Sequence, residues 1–247
     1  MELGLAGRGA LVTGASKGLG LATALALARD GATLAIVART ADTLEQARQA
    51  VVAASAGDRN DVLAIATDVT APGEAERVVA EAGAHFGGGI DIVVPNAGGP
   101  SPGGAWDVDD DQLRAAFEAN CLASIRLARA ALPKMKQNQW GRICCITSAS
   151  VKQPLPYLSL SNVARTALWA WAKTAASDVA AFGVTVNLAC PGLHDTDRMR
   201  ALGGSGGAPM GDPANFGKVV AFLCSEPAAF VNGVALQIDG GATLGLL

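Results

Sequence analysis

Aromatic and charged side chains are both scarce in this 247-residue chain: 4% of residues are aromatic and 17% charged, while half are hydrophobic. A large core can therefore be buried, built from aliphatic side chains rather than rings. No apolar run reaches the roughly 18 residues that a membrane span needs. The opening Met1-Glu2-Leu3-Gly4 lacks the basic-then-apolar order of a secretory signal. Lys and Arg number 19 against 22 Asp and Glu, a net charge of −3, and the basic residues are scattered. That pattern gives no nucleic-acid footprint. The five cysteines (Cys121, Cys144, Cys145, Cys190, Cys224) include no CxxC pair. Their odd number and apolar flanks suit reduced core thiols. The expectation from these absences is a cytoplasmic protein with neither nucleic-acid nor membrane partners.

What is present is glycine, placed with order. The run Thr13-Gly14-Ala15-Ser16-Lys17-Gly18-Leu19-Gly20 follows the apolar Ala10-Leu11-Val12 and opens an Ala- and Leu-rich segment to Arg29. This reads as strand, glycine turn and helix. Glycines let a backbone approach a ligand with no Cβ in the way, and a helix N-terminus favours an anion such as a pyrophosphate. A glycine triplet alone is weak evidence, but at the head of an alternating β/α chain it points to a dinucleotide site.

Apolar runs predict strands at Ala10–Thr13, Thr33–Val37, Val62–Ala66, Ile90–Val94, Arg142–Thr147, Thr185–Ala189 and Ala235–Ile238. Helical patterns fall near 19–29, 42–55, 73–86, 109–137, 158–181 and 213–225. Several strands are continuously apolar, as a parallel sheet covered on both faces requires. The expected fold is α/β, a Rossmann-type doubly wound parallel sheet of about seven strands with helices on both faces, in one domain over 1–247. Ligands of such sheets sit at the carboxyl ends of the strands. The polar and glycine-rich segments fall there: 14–20, Ala38-Arg39-Thr40, Asp68-Val69, Asn96-Ala97-Gly98, Ser148 and Pro191-Gly192.

Together with Asn120, Gly141-Arg-Ile and the closing Val231-Asn-Gly-Val and Ile238-Asp-Gly-Gly241, these segments resemble the short-chain dehydrogenase/reductase family. The likeness is strongest to its 3-oxoacyl-carrier-protein-reductase-like branch. The resemblance implies hydride transfer between a nicotinamide cofactor and a small carbonyl or alcohol substrate, by a homodimer or homotetramer. It implies that Gly14, Gly18 and Gly20 line the pyrophosphate, that Ser16 and Leu19 of the same turn bind the cofactor, and that Asp68 and Val69 meet the adenine. Asn96, Ala97 and Gly98 would flank the ribose and nicotinamide, and Pro191, Gly192 and Thr196 would hold the carboxamide.

Charge selects the cofactor. An acid after the second strand would bind the ribose hydroxyls of NAD and repel a 2′-phosphate. Here Arg39 stands there instead, with Lys17 in the glycine turn, and two cations favour NADP over NAD. The family's catalytic box is degenerate. Its Tyr-x-x-x-Lys would, counted from the single Tyr157, place Ser161 in the lysine slot. Aligned on Ser161-Asn162 instead, it would place Leu158 and Asn162 in the two slots. The catalytic residues expected are Ser148, Tyr157 and Asn120, with Arg165 or Lys152 as a source of positive potential. The alternative is an NADP-binding, catalytically impaired sensor or assembly subunit.

Overall fold

The computed structural model describes residues 2–56, 61–201 and 203–245. Seven strands form one sheet: β1 (Gly9–Thr13), β2 (Thr33–Ala38), β3 (Leu63–Ala66), β4 (Ile92–Val94), β5 (Gly141–Ile146), β6 (Val184–Pro191) and β7 (Ala235–Ile238). Their spatial order is β3-β2-β1-β4-β5-β6-β7 and every pairing is parallel. The chain winds outward from β1 in one direction and from β4 in the other. A crevice therefore opens between their carboxyl ends.

Strand side chains alternate between the two faces, and both faces are apolar. Ala10, Val12, Ile36, Ile92 and Val94 join one core with residues of α1 (Gly18–Arg29), α2 (Ala41–Ala54) and α8 (Pro213–Leu223). Leu11, Val37 and Val93 join the other with α3 (Glu74–His85), α5 (Ala123–Asn138) and α6 (Ser159–Val179). This two-faced burial is why the strands read as continuous apolar runs. All five cysteines are free and buried in these layers. No helix of the described residues is long and apolar enough to cross a membrane.

The helix expected over 109–137 is divided. Asp109 starts α4 (Asp110–Phe117) with a reciprocal capping box to Gln112. The backbone then widens into a π turn, Glu118–Leu122, before α5. A short helix, α7 (Asp197–Ala201), lies where no helix was expected. Otherwise the expected elements stand within a few residues of the observed ends.

Candidate active site

The turn between β1 and α1 needs its glycines for different reasons. Gly14 and Gly18 have φ of +58° and +59°, in the left-handed region that favours glycine. Gly20 is required by contact, since a Cβ there would stand 2.3 Å from the Gly14 carbonyl oxygen. Beside Gly18 the nearest atom to such a Cβ is Thr196 Cγ2 at 3.7 Å. Thr196 thus stands beside the turn. Lys17 precedes α1 as its N-cap residue without capping it through its side chain, and the first turn contains no acid.

The loop after β4 is pinned to that turn. The Thr13 hydroxyl donates to the Asn96 carbonyl and accepts from its N–H, both at 2.9 Å, while Asn96 Nδ2 donates to the Gly14 carbonyl at 3.2 Å. A cleft of about 690 Å³ opens over these strand ends. Gly14, Ser16, Lys17, Arg39, Asp68, Val69, Asn96, Ala97, Gly98 and Asn120 all line it. Asp68 accepts from the Thr70 N–H at 3.0 Å and its hydroxyl at 2.7 Å. These bonds hold its carboxyl below the usual carboxylate range, with Arg39 adding a smaller effect in the same direction. A second cleft of about 580 Å³ lies beside His85 and Asp91 at the opposite strand ends, away from every convergent motif.

Ser148 and Tyr157 are not among the residues lining the cleft. Ser148 follows β5 and its Oγ accepts from the Ser150 N–H at 3.1 Å. Tyr157 is 73% exposed, with φ of +57°. Its carbonyl accepts from the Gly103 N–H at 2.7 Å, and Gly103 bridges Leu158. The backbone of this proline-flanked loop is thus held at the surface, with the Tyr157 side chain largely exposed. Asn162 tethers the same loop, donating to the Leu155 carbonyl at 3.0 Å. Lys152 stacks over the Trp169 ring at 4.2 Å. His194 is 6% exposed and packs edge-on against Phe216.

Asn120, 3% exposed in the π turn, donates to the Ala116 carbonyl at 3.3 Å, and its Oδ1 has no partner. An orphaned buried acceptor beside a cleft is available to a ligand or water donor. The first turns of α6 bury two polar residues, Ser161 at 7% and Arg165 at 6% exposure. Four residues apart, they share one helix face. Arg165 donates to the carbonyls of Ile146 at 3.1 Å and Ala97 at 3.4 Å, joining the end of β5 to the cleft wall. Burial pushes its pKa down to about 10, with Arg198 adding to the effect, so it remains cationic at neutral pH. Arg198 itself lines the cleft and donates to the Pro100 carbonyl at 2.9 Å.

Sequence reading gave Arg165 only as a candidate source of charge and passed over Ser161 as a pair with it and Arg198 entirely. A polar pair spaced by four beside the apolar Leu160, Ala164 and Leu168 of the same face was the available signal for the first two. For Arg198 there was none, because the element that carries it was not foreseen.

The family model for short chain dehydrogenases matches residues 8–204. A human dehydrogenase/reductase SDR family member 4 is 32% identical over 96% of this chain and 88% of the relative. A 3-oxoacyl-[acyl-carrier-protein] reductase of Escherichia coli is 32% identical over 95% of this chain and 97% of its own length. Among solved structures, an L-sorbose reductase from Gluconobacter frateurii in complex with NADPH and L-sorbose superposes with a TM-score of 0.90 and 32% identity, covering 100% of both chains. An NADPH-dependent reductase involved in bacilysin biosynthesis gives a TM-score of 0.90 at 25% identity, covering 97% of this chain and 99% of its own. With its glycine turn, switch-point cleft and matching family model, this chain belongs to the short-chain dehydrogenase/reductase family of oxidoreductases.

Proposed function

We propose that this oxidoreductase uses NADP to exchange a hydride with the carbonyl or alcohol carbon of a small molecule, such as a 3-oxoacyl thioester or a related ketone. The observation that carries the reading is the cation pair at the ribose end of the cleft. Lys17 and Arg39 both line it, and no acid occupies the first positions after β2. An arginine there engages a 2′-phosphate bidentately, whereas an acid would repel it. The similar L-sorbose and bacilysin-pathway reductases both use NADPH, which supports the same choice here.

The residues fit a dinucleotide. Gly98 has nothing within 4 Å of a built Cβ, and the N-terminus of α1 stands without an acid. Gly14, Ser16, Gly18, Leu19 and Gly20 would hold the pyrophosphate, and Asp68 and Val69 the adenine. Asn96 to Gly98 would hold the ribose, and Pro191, Gly192 and Thr196 the nicotinamide. When bound, the cofactor supplies or accepts the hydride.

The chain's own part is orientation and charge. Ser148, whose Oγ accepts from the Ser150 N–H and keeps its own proton for donation, would offer its hydroxyl to a substrate oxygen brought to the end of β5, and Asn120 Oδ1 would accept from a water or ligand donor. Arg165 would supply a fixed positive potential to a substrate oxygen that bears negative charge, and water would supply the proton that turns that oxygen into a hydroxyl. Tyr157 has no part in this arrangement. A homodimer or homotetramer and a cytoplasmic location complete the proposal.

The test is consumption of NADPH by the purified chain with a panel of ketones that includes a 3-oxoacyl thioester. Carbonyl-dependent oxidation is expected, and its absence with every ketone would overturn the reading. In that case the surface position of the only tyrosine favours the second reading, a protein that holds NADP without efficient turnover.

A further inference from the structure

The cleft wall formed by the loop after β4 carries an unequal charge balance. Among the described residues, the arginine ion pairs engage Arg8, Arg48, Arg77, Arg114, Arg126, Arg142 and Arg200. Arg165 and Arg198 are in none of them. Arg198 has acids within three residues on its N-terminal side, yet both are taken. Arg200 bonds Asp195 at 2.9 and 3.0 Å and stands 3.6 Å from Asp197.

Arg198 is nevertheless held in place. Its Nη2 donates to the Pro100 carbonyl, and its guanidinium lies flat enough on Gly99 that a Cβ there would stand 2.8 Å from Nη2. Any larger residue at position 99 would push the arginine off the cleft wall. Behind this wall Arg165, buried, bonds the carbonyl of Ala97 in the same loop. Among the described residues, the charged side chain that shifts Arg165 is Arg198 itself. Two like charges converge on one loop, 96–101, with no carboxylate between them. Arg198 is exposed and water screens the pair, but neither cation has a carboxylate partner, and the potential of the loop favours an anion.

We infer that the substrate of this enzyme carries a carboxylate, and that Arg198 is the residue that receives it. The inference rests on the oxidoreductase reading above and narrows its substrate class to oxo acids or hydroxy acids. Arg39 follows β2 and Lys17 lies in the turn after β1, with the ribose-binding segments, whereas Arg198 is seated on the loop after β4; the first two would serve the cofactor's phosphates. Arg198 and the potential of Arg165 remain for the substrate. Planar guanidinium recognition of a carboxylate also fixes the orientation of the carbonyl relative to Ser148.

The experiment compares oxocarboxylates of increasing chain length with their methyl esters, in wild type, Arg198→Gln and Arg198→Lys. Turnover is followed together with two binding measurements: NADPH titration, and thermal stabilisation of the NADPH-saturated protein by the same carboxylates. In wild type the best acid is expected to show a KM about tenfold or more below that of its ester, and to raise the melting temperature where the ester does not. Arg198→Gln is expected to abolish that preference and the thermal shift while NADPH affinity stays within about twofold. Arg198→Lys, which keeps the charge but not the fork, is expected to retain part of both.

Esters preferred or equal to acids in wild type would overturn the inference while leaving the oxidoreductase reading intact. Loss of NADPH affinity in Arg198→Gln, with the acid preference kept, would assign the arginine to a cofactor phosphate instead. Absence of both turnover and carboxylate stabilisation would remove the inference along with the reading beneath it. Stabilisation by carboxylates without turnover would uphold the anion site and remove the oxidoreductase reading alone.

Discussion

A guanidinium buried to 6% exposure and bonded to two backbone carbonyls pays a desolvation cost that a surface arginine avoids. Arg165 keeps its charge because even at a pKa of about 10 it is protonated at neutral pH. A lysine with an ordinary pKa near 10.4, depressed as far, would sit close to neutrality. Arginine is therefore the residue that can hold a permanent charge in this setting. The single tyrosine, by contrast, is 73% exposed. Tyr157→Phe is expected to change kcat/KM for a ketone substrate by less than about twofold, within the range of ordinary surface substitutions. A loss of an order of magnitude in steady-state assays would restore it to the reacting oxygen. The residue scale is also where sequence was hardest to read. Tyr157 is the only tyrosine and anchored the register, but its role depended on a left-handed backbone and a bond to Gly103, which involve a residue 54 positions away. The glycines and cations of the ribose end were legible because their chemistry is local to one turn each.

At the scale of elements, the close approach of α1 and α8 shapes the glycine turn from behind. Gly217 of α8 packs on the backbone of α1, where a Cβ would stand 2.3 Å from the Ala22 carbonyl oxygen and 3.0 Å from the Thr23 nitrogen. Both neighbours are backbone atoms, so no side-chain rotation can relieve the contact. Gly217→Ala is expected to destabilise the fold by about 1–3 kcal/mol through overpacking. That is a fall of several degrees in melting temperature for a chain of this size. An unchanged or raised melting temperature would show that the two helices separate without cost. The strands and most helices were legible because hydrophobic runs and amphipathic stretches record burial directly. The π turn at Glu118–Leu122 and the short helix α7 were not. The first changes the hydrogen-bond pitch without changing composition, and the second is too short to carry a period. Yet these two elements place Asn120 and Arg198 in the cleft wall.

Over the whole molecule, the net charge of −3 conceals a local excess of the opposite sign. Lys17, Arg39 and Arg198 line one cleft and Arg165 stands behind it, with Asp68 as the acid among the lining residues of its adenine end. The sheet order brings residues from segments as far apart as 17 and 198 onto this single rim. The resulting field draws polyanions to the cleft of an otherwise acidic protein. Equilibrium titration of the purified chain with NADPH and with NADH tests this most directly. NADPH is expected to bind at least about tenfold more tightly, with Arg39→Asp reversing the preference. Equal affinity for the two cofactors, or no binding of either, would contradict the assignment of Lys17 and Arg39 to the 2′-phosphate and the functional account built on it.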